Sequence, residues 1–506
     1  MIAITKALSL VGLTGHVIDV EADIGNGVPC FNLLGLPDTS LSESRDRVRS
    51  ALINSEATWP NKRITLALSP AALPKRGSAF DCAIALAILA AADEIPLKRL
   101  HGAVILGELT LDGRIKSVQG ILPSLRAALL QGVTSAIIPT ENFQEGALVA
   151  DIEIFHFSHL RQMISWCKGA DYDSGIAVAP NLGGHQITPG DFSDIGGQES
   201  AKEAIEIGAI GGHHIAMVGP PGVGKSMLAE RIPTILPPLN HVDALEVTSL
   251  HSIAGKISAN NLAPLILVPP FIAPHHTITR AGLIGGGSAV ISPGASSLAH
   301  RGILFLDEAP EISRSVIESL REPMELGEIT LTRRGQSATF PARFTLVLAS
   351  NPCPCGWSIC KAKKCICSPL ARRKYRERLS GPILDRIDVR IELEPLSRAD
   401  LLRTGESSSQ IALRVRQARA RAALRFEKYP WSINSEIPAP ALRSDFAPER
   451  KALALLYRAL DSEEITVRGL HRVLRVAWSI ADLRGEEIPT LATAERALAL
   501  HLRERL

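Results

Sequence analysis

The chain has 506 residues, enough for two to four domains of about 150 residues each. Lysine plus arginine totals 55 and aspartate plus glutamate 52, so the net charge is only +3. This balance excludes a histone-like tail or an acidic solvating chain, although it does not exclude a local basic patch. Aromatic residues make up only 4%, so any nucleic-acid binding is expected to use phosphate contacts rather than base stacking.

Hydropathy and cysteine usage indicate the compartment. The longest apolar run, residues 82–92, is shorter than the roughly 20 residues that span a bilayer. The N-terminus lacks a signal-peptide pattern, so the sequence predicts a cytoplasmic protein without a membrane partner. Five of the eight cysteines fall between Cys353 and Cys367. In a reducing compartment, such clustering indicates a metal site or local structure rather than a disulfide framework.

The pattern of apolar segments divides the chain into four parts. Residues 1–168 mix strand-like and helix-like stretches and predict a compact α/β domain. Residues 169–189 are rich in Gly, Asp and Pro, a composition typical of a linker. Residues 190–394 alternate short apolar strands with helices, which predicts a parallel, doubly wound α/β sheet. Residues 395–506 have helical spacing and predict an all-α unit.

A phosphate-loop motif follows the apolar segment 215–218. Its residues are Gly219, Pro220, Pro221, Gly222, Val223, Gly224, Lys225 and Ser226. The glycines let backbone N–H groups surround phosphate oxygens, Lys225 reaches the terminal phosphates, and the Ser226 hydroxyl binds Mg²⁺. A strand before the loop and a helix after it favour this interpretation over a chance glycine-rich turn. The motif predicts ATP and Mg²⁺ as ligands.

Polar residues end two later apolar strands. Asp307 and Glu308 follow residues 303–306. Asp307 is expected to complete the Mg²⁺ site, and Glu308 to polarise the attacking water. Asn351 directly follows the segment 346–350. It is expected to sense the γ-phosphate and position the water, the alternative being a simple strand-end cap.

With these motifs in order, the chain resembles AAA+ ATPases of the magnesium-chelatase-like branch, and within it the YifB/ComM family of bacterial competence-related proteins. The matching stretches are Asp194-Ile-Gly-Gly-Gln198, Ala273-Pro-His-His-Thr277, Leu283-Ile-Gly-Gly-Gly287, Leu320-Arg-Glu-Pro323, Asn351-Pro-Cys-Pro-Cys-Gly356 and Gly381-Pro-Ile-Leu-Asp-Arg-Ile-Asp388. The resemblance covers nearly the whole chain. It implies an AAA+ P-loop core at 190–394, a helical lid at 395–506 and a homo-hexameric ring. It also implies a motor that migrates branched DNA during natural transformation.

The resemblance places four further residues at the nucleotide. Arg386 matches an arginine finger that acts on a neighbouring subunit's nucleotide; the alternative is an ion pair with a flanking aspartate. Arg468 matches the second sensor arginine, or is an ordinary helix-end arginine. Ile195 and Gly197 are expected near the adenine, or pack where the chain enters the domain.

Residues 328–340 alternate in polarity on both sides of a turn, which predicts a hairpin. In the family this hairpin points into the ring pore. The resemblance therefore implies that Arg333 and Arg334 at its tip contact phosphates of single-stranded or branched DNA. The alternative is a solvated turn.

Two groups of residues have side chains that commonly bind metals. Cys353, Cys355, Cys365 and Cys367 supply the four thiolates that Zn²⁺ prefers. Because their spacing departs from paired C-x₂-C knuckles, reduced cysteines packed in a loop are the alternative. The family matches the first and last pairs, which makes Cys360 the spare thiol. The adjacent histidines at 275 and 276 have no acid nearby in the sequence and are expected to be structural.

Residues 1–168 resemble the Lon-protease fold, which is ribosomal S5-like. Residues 74–81 line up with the Lon serine loop, and residues 107–120 with the strand that leads to its lysine. The serine position holds Ala79 and the lysine position holds Leu122, so a Ser/Lys dyad is missing. The resemblance implies a domain without peptidase activity that acts as a ring-forming or DNA-guiding collar.

The motifs leave two classes of motor open, because both use the same ATP site. A DNA translocase is the leading hypothesis, and an ATP-driven remodeller of protein complexes, such as a chelatase motor subunit or a chaperone, is the alternative. A passive nucleotide-binding scaffold is disfavoured because the hydrolytic residues are all present. The basic stretch 372–378 favours contact with DNA or a neighbouring subunit.

Overall fold

The computed structural model describes residues 2–35, 43–71, 73, 75, 77–172, 190–257, 265–287, 291–333, 336–360, 364–379, 381–401 and 404–502. Arg334 and residues 173–189 of the predicted linker lie outside these ranges. Within them, no helix is both long enough and apolar enough to cross a membrane.

The first unit is built on a mixed sheet of seven strands. The strands are β1 (Ile2–Val11), β2 (Thr14–Gly25), β3 (Cys30–Leu34), β4 (Arg63–Ser69), β5 (Ala103–Ile105), β8 (Ser135–Pro139) and β9 (Glu153–Phe157), in the order β3-β4-β2-β1-β5-β8-β9. A small ribbon pairs β6 (Glu108–Leu109) with β7 (Ile115–Lys116). The helices are α1 (Ser44–Asn54), α2 (Asp81–Ala91), α3 (Ile121–Leu130), α4 (Phe143–Gly146) and α5 (Leu160–Cys167). Every residue of α2 is buried, so the apolar run seen in the sequence is a core helix.

The second unit is an α/β core with a parallel sheet of five strands. They are β10 (Ile215–Val218), β11 (Phe271–Ile272), β14 (Ile303–Leu306), β17 (Thr345–Ser350) and β18 (Val389–Glu392), in the order β11-β14-β17-β10-β18. Two antiparallel hairpins join β12 (Gly285–Gly286) to β13 (Ser292–Pro293) and β15 (Glu328–Arg333) to β16 (Gln336–Pro341). The helices are α6 (Glu199–Gly211), α7 (Lys225–Ile235), α8 (His241–Ile253), α9 (Arg280–Ile284), α10 (Ala295–Leu298), α11 (Arg314–Glu318), α12 (Arg321–Leu326), α13 (Pro369–Arg376), α14 (Gly381–Leu384) and α15 (Arg398–Leu401).

The strand order of this sheet determines where polar residues meet. β17 lies between β10 and β14, and the three strands run parallel. Because the carboxyl ends of parallel strands share one edge, the residues that follow β10, β14 and β17 lie side by side there. The strands themselves are almost entirely buried, which explains their continuous apolar sequences.

The C-terminal unit consists of α16 (Ser408–Arg425), α17 (Arg450–Asp461), α18 (Val467–Arg484) and α19 (Leu491–Leu502). Its buried residues, among them Val415 and Trp478, form one hydrophobic cluster with Ile215 and Met217 of the sheet. This shared core fixes the helices on the sheet. The boundaries at 168, 190 and 394 stay predictions.

Short 3₁₀ turns occur in all three units. They occupy Ser78–Phe80, Leu97–Arg99, Thr140–Asn142, Phe192–Asp194, Ala309–Glu311, Asn434–Glu436 and Ala441–Arg443.

The first unit contacts the α/β core mainly through α8. Ser252 at the end of α8 donates a hydrogen bond to the buried carboxylate of Glu145. Leu250 packs with Phe340 of the β15–β16 hairpin, and Val11 at the end of β1 covers the same cluster. The hairpin base is therefore held from both units.

Candidate nucleotide site

The loop between β10 and α7 has open space beside two of its glycines. Gly222 and Gly224 have φ of +79° and +93°, a left-handed conformation that favours glycine. A Cβ built on either residue meets no described atom within 4 Å. The loop also precedes the N-terminus of α7, where free backbone N–H groups attract anions. The segment therefore fits a phosphate chain.

Lys225 links this loop to the end of β17. Its Nζ donates to the carbonyl oxygens of Gly219 at 2.7 Å and Pro220 at 2.9 Å, and to Oδ1 of Asn351 at 3.1 Å. Burial lowers the pKa of Lys225, while Asp307 and Glu308 oppose that shift. The ammonium group is thus held at the shared edge of the sheet.

Ser226 and Asp307 form an oxygen pair suited to Mg²⁺. The Ser226 hydroxyl donates to Oδ2 of Asp307 at 2.7 Å, and Oδ1 of Asp307 accepts the backbone N–H of Glu308 at 2.8 Å. Mg²⁺ prefers oxygen ligands, commonly one or two from protein and the rest from phosphate and water. The donor set present here fits that ion.

Glu308 has an unusual backbone and a histidine neighbour. Its φ is +47°, which is uncommon for a residue other than glycine. Oε2 of Glu308 lies 3.2 Å from Nδ1 of His276. His276 has no acid close to it along the chain, but it has one in space. The sequence carries no local signal for this contact, because the two residues are brought together only by the pairing of β11 with β14.

Arg386 is held inside its own chain. It is only 5% exposed, its Nη2 pairs with the carboxylate of Glu325, and its Nη1 donates to the carbonyl of Pro382 at 2.6 Å. The expected alternative partner, a flanking aspartate, is wrong. Those aspartates bind other arginines, Asp385 to Arg468 and Asp388 to Arg472.

Arg468 and the two residues predicted to lie near the adenine each have partners within the chain. Arg468 is the second residue of α18, and its Nη1 lies 3.0 Å from Oδ2 of Asp385. Ile195 is 4% exposed and belongs to the shared core. Gly197 has φ +63°, and a Cβ there would come within 2.9 Å of Asp400. The roles of these residues at a nucleotide stay predictions.

The four cysteines predicted as zinc ligands lie together. Their Sγ atoms are all within 4.8 Å of one another. Backbone hydrogen bonds, first that of Trp357, lower the pKa of Cys355 to about 6. Cys360 is not a member of the group.

The β15–β16 hairpin presents Arg333 at its tip, where it pairs with Gln336 and is exposed. Arg334 lies outside the described residues. The strands carry facing threonines, with Oγ1 of Thr330 and Thr339 3.0 Å apart. The hairpin itself is present, and its contact with DNA stays a prediction.

In the first unit, Ser78 donates its hydroxyl hydrogen to the carboxylate of Glu108, an acid rather than an amine. Ala79 precedes α2, and Leu122 is buried in α3. Lys75 is also buried, and its ammonium group donates to the carbonyl of Pro70. The absence of peptidase activity stays a prediction that these contacts support.

Comparison with known families covers nearly the whole chain. A profile of the family described as magnesium chelatase, subunit ChlI, matches residues 191–401. Profiles for subunit ChlI of Mg-chelatase and for its C-terminal part match residues 20–142 and 405–501.

Relatives match over similar lengths. An uncharacterized protein of Mycobacterium tuberculosis strain H37Rv is 46% identical, with 98% of each chain covered. The competence protein ComM of Haemophilus influenzae is 37% identical, over 96% of this chain and 94% of that protein. The uncharacterized protein YifB of Escherichia coli K12 is 36% identical, over 100% of this chain and 98% of that protein. The chain therefore belongs to the ComM/YifB family of magnesium-chelatase-like AAA+ proteins.

Proposed function

We propose that this protein is a Mg²⁺-dependent ATPase whose homo-hexameric ring moves on DNA and migrates branched junctions during recombination in natural transformation. The observation that carries the proposal is the meeting of Lys225, Ser226, Asp307 and Asn351 at one edge of a parallel sheet. A relative of similar length is named a competence protein, which supports the biological setting.

Each residue at this edge has a proposed role. Lys225 and the loop N–H groups bind the phosphates, and Ser226 with Asp307 holds Mg²⁺, which when bound neutralises phosphate charge. Glu308 accepts a proton from the attacking water, and His276 keeps its carboxylate oriented. Asn351, which already contacts Lys225, senses the γ-phosphate. Ile195 and Gly197 take the adenine side of the site.

Hydrolysis is proposed to need a second subunit. Arg386 acts in trans, and for this its guanidinium must leave Glu325 on ring assembly. Such an arginine stabilises charge on the transferred phosphoryl group and contributes about 10³–10⁵ in rate. Arg468 on the lid senses the nucleotide, in exchange for its pair with Asp385.

DNA contact is proposed at the β15–β16 hairpin. Arg333 is exposed there, and the hairpin base packs on the first unit, so a displaced tip transmits force to the ring collar. Arg334 belongs to the same proposed contact. With only 4% aromatic residues, the grip is on phosphates and independent of sequence.

The test is the ATPase rate measured without DNA and with forked, four-way junction and duplex DNA. The proposal predicts stimulation by branched and single-stranded substrates that weakens steeply as salt rises. A rate that no DNA changes, but that a protein substrate raises, favours the protein-remodelling alternative.

A further inference from the structure

The distances between the sulfur atoms of the cysteine cluster indicate more than that the four residues lie close together. Sγ of Cys353 lies 3.4 Å from Sγ of Cys355 and 3.7 Å from Sγ of Cys365, and Cys355 and Cys365 are 3.6 Å apart. A disulfide needs a sulfur separation of about 2.05 Å, so these thiols are not bonded to one another.

These separations match a metal centre. With Zn–S bonds of about 2.3 Å, the corners of a sulfur tetrahedron lie about 3.8 Å apart. Cys367 completes the group, since all four Sγ atoms lie within 4.8 Å of one another. Backbone groups of Trp357 and Ile366 also hydrogen-bond to Cys355 and so orient its sulfur.

The cluster is joined directly to the nucleotide site. Cys353 is two residues beyond Asn351, and Cys353 itself is fully buried. The same loop lies on the phosphate loop, because Gly356 has φ +82° and a Cβ there would come within 2.5 Å of Cδ of Pro221. Any residue larger than glycine at 356 would push the cysteine loop away from Pro221.

We infer that Cys353, Cys355, Cys365 and Cys367 bind one structural Zn²⁺ and that this ion holds the loop carrying Gly356 against the phosphate loop. Four thiolates leave no open coordination position, so the ion is structural and takes no part in hydrolysis. Binding displaces the thiol protons, and the energy of binding fixes the loop. The metal site does not depend on the proposed DNA activity.

Metal analysis of the full-length protein, purified without chelators, tests the site. We expect one zinc per chain in the wild type and in Cys360→Ser, the matched control that removes the neighbouring thiol outside the cluster. Cys365→Ser and Cys367→Ser are expected to lose the metal. Protein that is folded and contains no zinc, or iron in its place, overturns the assignment, as does equal loss in Cys360→Ser.

If the cysteine variants fail to fold, absorption spectroscopy of the cobalt-loaded wild type tests the site instead. Wild-type protein loaded with Co²⁺ is expected to show thiolate charge-transfer absorption and the visible bands of a tetrahedral site, neither of which depends on ATP turnover. Their absence overturns tetrathiolate ligation. For the bracing role, chelation is expected to weaken binding of a fluorescent ATP analogue by at least about tenfold, reversed by added zinc. Unchanged affinity in the metal-free protein rejects that role while leaving the metal site standing.

Discussion

The Nζ atom of Lys225 lies 3.1 Å from Oδ1 of Asn351, so the phosphate loop and the end of β17 are joined by a hydrogen bond between two side chains. The two residues are 126 positions apart in the chain. Their contact exists because β10 and β17 are parallel neighbours. The hydrogen bond therefore links the phosphate loop to the end of β17, as the proposed sensing of the γ-phosphate by Asn351 requires.

Replacement of Asn351 by alanine removes this contact but leaves both carbonyl partners of Lys225. We expect ATP binding to change by less than about threefold and kcat to fall about 10²-fold, because the lost interaction acts mainly in the transition state. Binding titrations and steady-state ATPase rates measure the two effects. A loss of binding with unchanged kcat would show that Asn351 is only a structural cap.

Glu308→Gln is expected to keep ATP binding and lower kcat by about 10²–10⁴-fold, the usual contribution of a general base. His276→Ala, which removes the neighbour 3.2 Å away, is expected to lower kcat less, by under about tenfold. His275→Ala is the matched control: the His275 ring packs on that of His276, with centroids 4.1 Å apart, and contacts Thr277, so this variant removes ring packing but leaves the contact of His276 with Glu308. Wild-type turnover in Glu308→Gln contradicts the mechanism, and equal effects in both histidine variants remove the role of His276.

Arg386→Ala is expected to lower the ATPase rate by about 10³-fold or more without reducing ATP binding. Because Arg386 is proposed to act on the neighbouring nucleotide, doping wild-type rings with Arg386→Ala subunits should inactivate wild-type sites in proportion to their variant neighbours. Glu325→Gln removes the carboxylate that pairs with Arg386 and should leave trans activity intact. If variant subunits leave every wild-type site active, Arg386 does not act on a neighbouring nucleotide, and its only role is the ion pair with Glu325.

Arg333→Ala is expected to weaken DNA binding and reduce the slope of log affinity against log salt by about one, as for one lost phosphate contact. The basal ATPase rate should not change. Arg458→Ala, an exposed arginine on α17, is the control for a mere change of net charge. Equal salt slopes for the two variants would rule out a specific contact by Arg333.

The stability of the α/β core that carries His213 should fall as the pH is lowered below 6.5. Burial lowers the pKa of His213 from 6.5 to about 4, so the folded protein keeps this ring neutral where the unfolded chain takes up a proton. The contribution of neutral His213 to the free energy of unfolding is complete above pH 6.5. It is lost as the pH falls toward 4, at no more than about 1.4 kcal/mol per pH unit. The charged or titratable groups around the ring are Asp388, Arg472, Arg475 and His214.

His213→Gln provides the comparison for this pH effect. His214, whose pKa is also lowered to about 4, remains in both proteins, as do all acidic groups. The difference between the two unfolding curves between pH 7 and 5 therefore isolates one ring. If the free energy of unfolding falls equally with pH in the two proteins, protonation of His213 does not destabilise the folded state.

The strands around the nucleotide site could be predicted because they are short, apolar and bounded by polar residues. β10 and β14 occupy the predicted residues 215–218 and 303–306. The sequence does not mark β1 as a strand, since Thr5, Lys6 and Ser9 interrupt its apolar pattern. Thr5 is nevertheless buried and donates its hydroxyl to the carbonyl of Ala83. Alternation is lost where a buried polar side chain finds a partner on another element.

Side-chain partners were less predictable than strands. The spacing within each motif placed Lys225, Asp307 and Asn351 at strand ends, and strand order then brings them together. Nothing local connects Arg386 with Glu325, because that pair depends on how α12 packs near α14. The same limit applies to His276 and Glu308. The sequence points to aspartates as partners of Arg386 only because two of them flank it in the chain.

The most direct test of the account is movement of a synthetic four-way DNA junction by the purified protein, with Glu308→Gln as the control. The account predicts that wild-type protein resolves the junction into duplex arms only with ATP and Mg²⁺, and that Glu308→Gln binds the junction without moving it. Active ATP hydrolysis by the wild type with no displacement of single-stranded, forked or junction DNA would contradict it.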